Sequence, residues 1–264
     1  MVTILNKSQK KRYARHTALA EVGVQGQEKL LTSRVLIVGA GGLGSPVLLY
    51  LAAAGVGTIG VIDFDKVELS NLQRQIIHRE EGVGTAKVMS AREAIFELNP
   101  EVAVETYRMR LTNNNASDLI NNFDLVVDGS DNFTTRYLLN DACFFSKKPL
   151  VSAALLRFEG QLSTFKPFVP GDKNPCYRCL FPSPPAPGTV PRCEQAGIFG
   201  AVAGVMGSLQ ATEVIKELLG IGEGLSGKLV IYNGLDGRFT KLKVRREDGC
   251  KLCGSSPTIV ALGV

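Results

Sequence analysis

The 264-residue chain contains no tryptophan and only two histidines, His16 and His78. Without tryptophan, and with aromatics at 7%, it lacks the usual anchors of an aromatic-rich binding surface. Two histidines exclude a histidine-rich metal centre and strain any Ser-His-Asp triad. Apolar runs fit for a bilayer are missing as well. Val35 to Ile62 and Gln195 to Thr212 are uncharged over 28 and 18 residues, but the first holds seven glycines and Pro46. It reads as strand, glycine turn, helix and strand. The second carries Gly200, Gly204 and Gly207, which suit close helix packing in lipid or in a protein core alike. No stop-transfer flank or N-terminal apolar stretch accompanies them, so the expectation is a soluble, cytoplasmic protein with no membrane role. A strong charge of one sign is also lacking: 30 basic against 25 acidic residues give +5. The densest basic stretch, KSQKKRYAR at residues 7 to 15, reads as a solvated helix face and not as a nucleic-acid arm.

What is present points elsewhere. Twenty-eight glycines in a chain that is 45% hydrophobic suit a glycine-turned α/β protein and exclude collagenous, disordered and disulfide-scaffold classes. Residues 8 to 31 read as one or two amphipathic helices. Arg34 to Val38 is a short apolar run typical of a strand buried on both faces. Helical composition follows over 45–55, then a strand at 58–64. A helix over 85–98 places Val88, Ala91, Ile95 and Leu98 on one face, and strands follow at 102–107 and 124–128. This alternation predicts a Rossmann-like doubly wound sheet, parallel in the N-terminal half. From about residue 150 the pattern changes to consecutive strands at 150–156 and 160–166. A hairpin at 229–244 turns around Asn233 to Gly237, so antiparallel strands are expected in the C-terminal half. Between them, FPSPPAPGTVPRC carries five prolines in 13 residues and reads as a surface loop.

Gly39-Ala40-Gly41-Gly42-Leu43-Gly44 matches G-x-G-x-x-G between a strand and a helix, where backbone N–H groups and the helix N-terminus receive phosphate. Asp63, at the end of the next strand, is placed to grip ribose hydroxyls. Alone, these features leave open a dinucleotide enzyme such as an NAD-dependent oxidoreductase, a mononucleotide site, or a structural turn. Three further features favour a nucleoside triphosphate. Ser70-Asn71-Leu72-Gln73-Arg74-Gln75 forms a polar loop with an arginine. Lys87 lies in the first turn of a helix, where the macrodipole disfavours a cation; it is either solvent-exposed or part of a phosphate clamp with Arg74. Asp131, in Asp128-Gly129-Ser130-Asp131-Asn132, is either a helix-start acid or a ligand for Mg²⁺.

The six cysteines divide by spacing. Cys176-x-x-Cys179 and Cys250-x-x-Cys253 are two knuckles that together supply four thiolates for Zn²⁺; two redox pairs are the alternative. A closed four-thiolate site has no open position for catalysis. Cys193, beside Arg192, is a candidate nucleophile or an incidental loop thiol. Cys143, in an apolar context, reads as a core residue.

Taken together, RVLIVGAGGLGS, DFDKVELSNLQRQ, VGTAKV, DGSDNFTTRYLLN, PCYRC and GCKLC resemble the ThiF/MoeB/HesA family of ubiquitin-activating-enzyme-like proteins, over residues 12 to 253. The resemblance implies adenylation, with ATP and Mg²⁺, of the C-terminal Gly-Gly carboxylate of a small ubiquitin-fold sulfur carrier, as in molybdopterin or thiamine biosynthesis. It implies nucleotide contacts from Gly42 and Asp63, beside the phosphate-binding loop glycines Gly39, Gly41 and Gly44 of the motif, phosphate neutralisation by Arg74 and Lys87, and Mg²⁺ on Asp131. Ser70, Asn71 and Asn132 would line the pocket. Arg15 matches an arginine lent to the neighbouring subunit's site, which implies a two-fold homodimer. Cys193 matches the family's loop cysteine, a candidate in sulfur transfer. No sulfur-transfer domain follows Cys253, so a separate donor, such as a cysteine desulfurase or rhodanese, is expected. A related tRNA-modifying dehydratase group uses the same adenylation. The expected organisation is a helical segment at 1–33 and one adenylation domain at 34–253, followed by a tail at 254–264. The domain divides into a nucleotide half, 34–149, and a carrier-binding and zinc half, 150–253.

Overall fold

Strand β1 (Arg34–Val38) shows why the four-residue apolar run Val35 to Val38 was needed. Val35 and Ile37 enter one hydrophobic core, Leu36 and Val38 another. A strand covered on both faces has no solvent side, so its side chains do not alternate in polarity. The computed structural model describes residues 5–171, 173–186, 188–189 and 196–263. Within them eight strands form one sheet in the order β3-β2-β1-β4-β5-β6-β7-β8. Strands β2 (Thr58–Ile62), β3 (Ala103–Tyr107), β4 (Leu125–Asp128) and β5 (Leu150–Leu156) continue β1 in parallel. Strands β6 (Glu159–Phe165), β7 (Lys228–Asn233) and β8 (Arg238–Lys243) are added antiparallel. The predicted change of pattern near residue 150 is therefore a change of strand direction.

Helices fill both faces. On one side lie α3 (Gly23–Thr32), α4 (Gly44–Ala54), α5 (Lys87–Leu98) and a long C-terminal helix, Gly200–Leu219. On the other lie α6 (Ala116–Asn121) and α7 (Phe133–Phe145). Helix α4 is apolar almost all round and accepts Pro46 in its first turn, where an N–H would lack an intrahelical partner. It ends at Gly55, whose φ of +80° makes the left-handed cap. The turn α8 (Tyr177–Leu180) precedes the long helix, which becomes α9.

Small residues let α9 approach α4. A Cβ on Gly207 would collide with Pro46 and lie 2.7 Å from the Leu43 carbonyl oxygen. Gly200 would meet the Gln73 backbone in the same way, but Gly204 faces open space. Two of the three glycines thus serve protein packing. No helix among the described residues is long and apolar enough to cross a membrane.

Three boundaries differ from expectation. The N-terminal segment is three helices, α1 (Lys7–Arg12), α2 (Ala14–Thr17) and α3, because Tyr13 turns inward between the first two. Its hydroxyl accepts from Asn99 Nδ2 at 3.0 Å, and burial pushes its pKa up. Leu98, expected on the buried face of α5, is 40% exposed. There the helix is ending, and its carbonyl accepts from Arg12 Nη1 instead. Strand β2 stops at Ile62, which leaves Phe64 outside the sheet under the Arg110 guanidinium, 3.5 Å from the ring centroid.

Candidate nucleotide and metal sites

The strand order reverses direction around β1, whose neighbours are β2 and β4. Doubly wound sheets bind ligands at such a switch point, outside the carboxyl ends of the strands. Here the glycine loop leaves β1. Gly39 N donates to Ile62 O and Gly129 N to Val38 O, each at 2.9 Å, so the loop is pinned to both neighbours. Gly39 has φ of +97°, and a Cβ there would lie 2.7 Å from Gly129 O. Only glycine meets both demands. A Cβ on Gly44 would collide with Gly39 O, so the turn closes on itself. Ser45 Oγ donates to Gly41 O at 2.7 Å. The result is a rigid loop beside the N-terminus of α4.

Most of the predicted site residues gather around this loop. Half-buried Asp63 accepts from Ala40 N at 2.9 Å through Oδ2 and from Asp65 N at 2.8 Å through Oδ1. Each oxygen keeps a second lone pair. Arg74 lies along the loop, its Cγ 3.4 Å from where a Gly42 Cβ would be, and Nη1 donates to Ser70 O at 3.3 Å. Ala203 of α9 closes the other side of Gly42 at 3.3 Å. Ser70 and Asn71 form a single 3-10 turn (Leu69–Asn71) at the rim.

Lys87 is not the solvent-exposed lysine that one reading allowed: its side chain is only 8% exposed, and Nζ sits 3.3 Å from Asp65 Oδ2. A buried ammonium at a helix start needs a counter-charge, and Asp65 supplies it. Asp65 was missed by the sequence reading. The signal was available: a lysine where the macrodipole opposes it calls for an acid.

Asn132, not Asp131, caps α7, its Oδ1 accepting from Thr135 N at 2.9 Å. Asp131 is exposed and, among the described residues, accepts only a long contact from Asn132 Nδ2, 3.5 Å. Its carboxylate is not consumed by capping and so fits a hydrated divalent cation. Beneath it, the wholly buried Asp128 was also missed. Its Oδ1 accepts from Ser130 N and Oγ, and its Oδ2 from Ser152 Oγ at 2.7 Å. Arg136 Nε lies 3.2 Å from Oδ2, and Arg136 Nη2 donates to Ser130 O. This network fixes the backbone from which Asp131 projects. Gln210 of α9 adds a donor to Asp128 O at 2.8 Å.

Arg15 is exposed on α2, a helix packed on α3, and none of the hydrogen bonds described around the glycine loop involves it. Cys193 lies outside the described residues. Cys143, on α7, is buried in the core as its apolar context implied, and desolvation pushes its thiol pKa up.

The other four cysteines converge. Their sulfurs all lie within 4.8 Å of one another. Cys176 and Cys250 approach to 3.5 Å, Cys179 and Cys253 to 3.4 Å, and Cys176 and Cys179 to 3.9 Å. A tetrahedron with metal–sulfur bonds of about 2.3 Å has edges of roughly 3.8 Å. The nearest pairs join the two knuckles instead of closing either one, which disfavours two separate redox pairs. Cys176 caps α8, and Glu247 N points at Cys179 Sγ from 3.5 Å. Arg178 holds α8 to α7 by a two-point ion pair with Asp141, at 2.8 and 2.7 Å, and lies over the Tyr137 ring.

Comparisons with known proteins agree with this fold. A family model described as the ThiF family matches residues 13–252. A sulfur carrier protein adenylyltransferase of Thermus thermophilus is 51% identical over 253 residues, covering 96% of this chain and 93% of that protein. An adenylyltransferase and sulfurtransferase MOCS3 of Culex quinquefasciatus is 49% identical over 262 residues, but the chain spans only 59% of its length. Among solved structures, E. coli MccB with AMPCPP and MccA superposes with a TM-score of 0.79 at 25% identity, covering 95% of this chain and 76% of that one.

Proposed function

The chain belongs to the ThiF family, and on that premise we propose that its site adenylates the C-terminal Gly-Gly carboxylate of a small ubiquitin-fold sulfur carrier, using ATP. The observation that carries this reading is the 51% identity, across nearly the full length of both chains, to a sulfur carrier protein adenylyltransferase.

A carrier carboxylate oxygen attacks the α-phosphorus of ATP. The new O–P bond forms as the bond to the pyrophosphate oxygen breaks, and that oxygen leaves with the electron pair. The nucleophile is already ionised at neutral pH and the leaving group departs as an anion, so no general base is required. The work is electrostatic. Glycine-loop N–H groups at Gly41 and Gly42 receive phosphate oxygens, with Gly39 and Gly44 setting the turn. Arg74 and Lys87 neutralise charge that grows on the bridging oxygen, while Asp65 holds Lys87 in place. Asp63 uses its remaining lone pairs on ribose; Ser70, Asn71 and Asn132 line the rim. Asp131 would hold Mg²⁺, which when bound neutralises phosphate charge.

The four-thiolate cluster would take Zn²⁺ in a structural role, its donor set being closed. In a two-fold homodimer, exposed Arg15 would serve the neighbouring subunit's site. Cys193 remains the candidate for sulfur transfer.

ATP–pyrophosphate exchange tests the reading. Exchange is expected only when a ubiquitin-fold carrier ending in Gly-Gly is present, and is lost when its last two glycines are removed. Exchange that ignores the carrier tail, or tight NAD binding without ATP binding, would sink the proposal.

A further inference from the structure

His78 lies outside every role assigned above, yet it is one of the most enclosed polar side chains near the glycine loop, 6% exposed. The segment containing it runs alongside that loop. A Cβ on Gly42 would face Arg74, a Cβ on Gly41 would face Gln75 Nε2 at 3.7 Å, and the Ala40 carbonyl meets His78. The His78 contact is a short hydrogen bond, Nε2 to Ala40 O at 2.8 Å. A carbonyl can only accept, so Nε2 carries the proton. In the neutral ring Nδ1 then accepts, and its partner at 2.9 Å is the Ser90 hydroxyl. Ser90 lies one helical turn beyond Lys87 on α5. Ala40 N meanwhile donates to Asp63.

The geometry points to His78 as a positioning residue that holds the Ala40 peptide from its carbonyl side and, through Ser90, registers the glycine loop against the helix carrying Lys87. Asp63 holds the same residue from its N–H side, so Ala40 is gripped at both ends. Rotation of its carbonyl would re-aim the Gly41 N–H, which belongs to the same peptide unit. The ring never reaches the reacting atoms; it acts through the loop. This inference rests on the nucleotide reading of the loop.

Two amide side chains separate this role from simple filling of space. Glutamine places its Nε2 near the imidazole Nε2, within reach of Ala40 O, whereas asparagine places its Nδ2 near the imidazole Nδ1, towards Ser90. His78→Gln, His78→Asn and His78→Leu are compared by calorimetric titration with Mg-ATP, exchange kinetics and melting temperature. His78→Gln should hold the ATP dissociation constant within about 3-fold of the parent. His78→Asn and His78→Leu leave a buried carbonyl without its donor and should weaken it by about 10-fold or more. The KM for the carrier should stay constant throughout. Equal losses in Gln and Asn, or parental ATP affinity in His78→Leu, would overturn the role. If His78→Leu does not fold, the Gln–Asn pair decides. A parent protein that binds no ATP would instead overturn the nucleotide reading itself.

Discussion

The first and last strands of the sheet's sequence are built on opposite principles. Four of the five β1 residues are buried, and the strand is flanked by hydrogen-bonded neighbours on both edges. Every residue of β8 is exposed, and among the described residues it pairs with β7 alone. Between these extremes the chain passes from parallel strands sandwiched by helices to an antiparallel extension with little core. Burial stabilises the first half, and it carries a polar site at its rim. The second half shares that core through β5 and α9 and adds other devices: four sulfurs in one cluster, the Asp141–Arg178 pair, and the Tyr232–Phe239 ring stack at 4.5 Å. The same chain therefore contains a region held by transfer of apolar groups from water and a region whose four converging thiols would, on the zinc reading, hold it by coordination.

Metal removal is the strongest way to break that comparison. With a chelator, or in Cys250→Ser, hydrogen exchange should accelerate first around 176–180 and 245–259 while β1 to β4 stay protected. Equal loss of protection in both halves would mean that they are one cooperative unit. Next in size is Ile37→Ala, at a fully buried site, expected to cost about 2–5 kcal/mol of global stability in denaturant titrations. A third, smaller effect comes from acid. His78 has its pKa lowered, chiefly by burial and further by the Lys87 ammonium, while the Ala40 hydrogen bond and the Asp63 carboxylate pull the other way. The unfolded ring therefore takes up a proton near its ordinary value of 6.5 while the folded ring stays neutral. The contribution is intact above that pH and is lost progressively as pH falls from 6.5 towards the lower folded value. His78→Gln should flatten that part of the melting-temperature profile; an unchanged slope would assign the acid sensitivity elsewhere. Smallest of all, Leu242→Ser on β8 should change stability by within about 0.5 kcal/mol. A larger loss there would show that β8 packs against something in solution.

Legibility in sequence followed the same divide. β1, β2 and β4 could be read from short apolar runs, since burial on both faces leaves a one-dimensional trace. The β7–β8 turn was visible in Asn233 to Gly237, and the sulfur cluster in its spacing. Arg74, Lys87 and Asp63 were legible because loop and helix-start chemistry is local. Asp65, Asp128 and His78 were not singled out: their roles lie in partners at Lys87, Arg136 and Ala40, reached only after the chain folds. Leu98 was misread because helical periodicity continued to the helix end while the covering structure did not. Gly204 was misread for the converse reason, as spacing alone does not say which small residue faces a neighbour.

The open outer side of β8 has a consequence for how the protein behaves when crowded. A row of unpaired backbone donors and acceptors is a template on which a second polypeptide can add itself, strand upon strand, without any specific recognition. The strand RFTKLK puts a cation at Arg238, Lys241 and Lys243. Two copies brought edge to edge would confront like charge with like charge, so this border of the sheet discourages runaway self-assembly by repulsion and needs no covering helix. Replacing those cations would remove that protection without disturbing the native contacts of the sheet's interior.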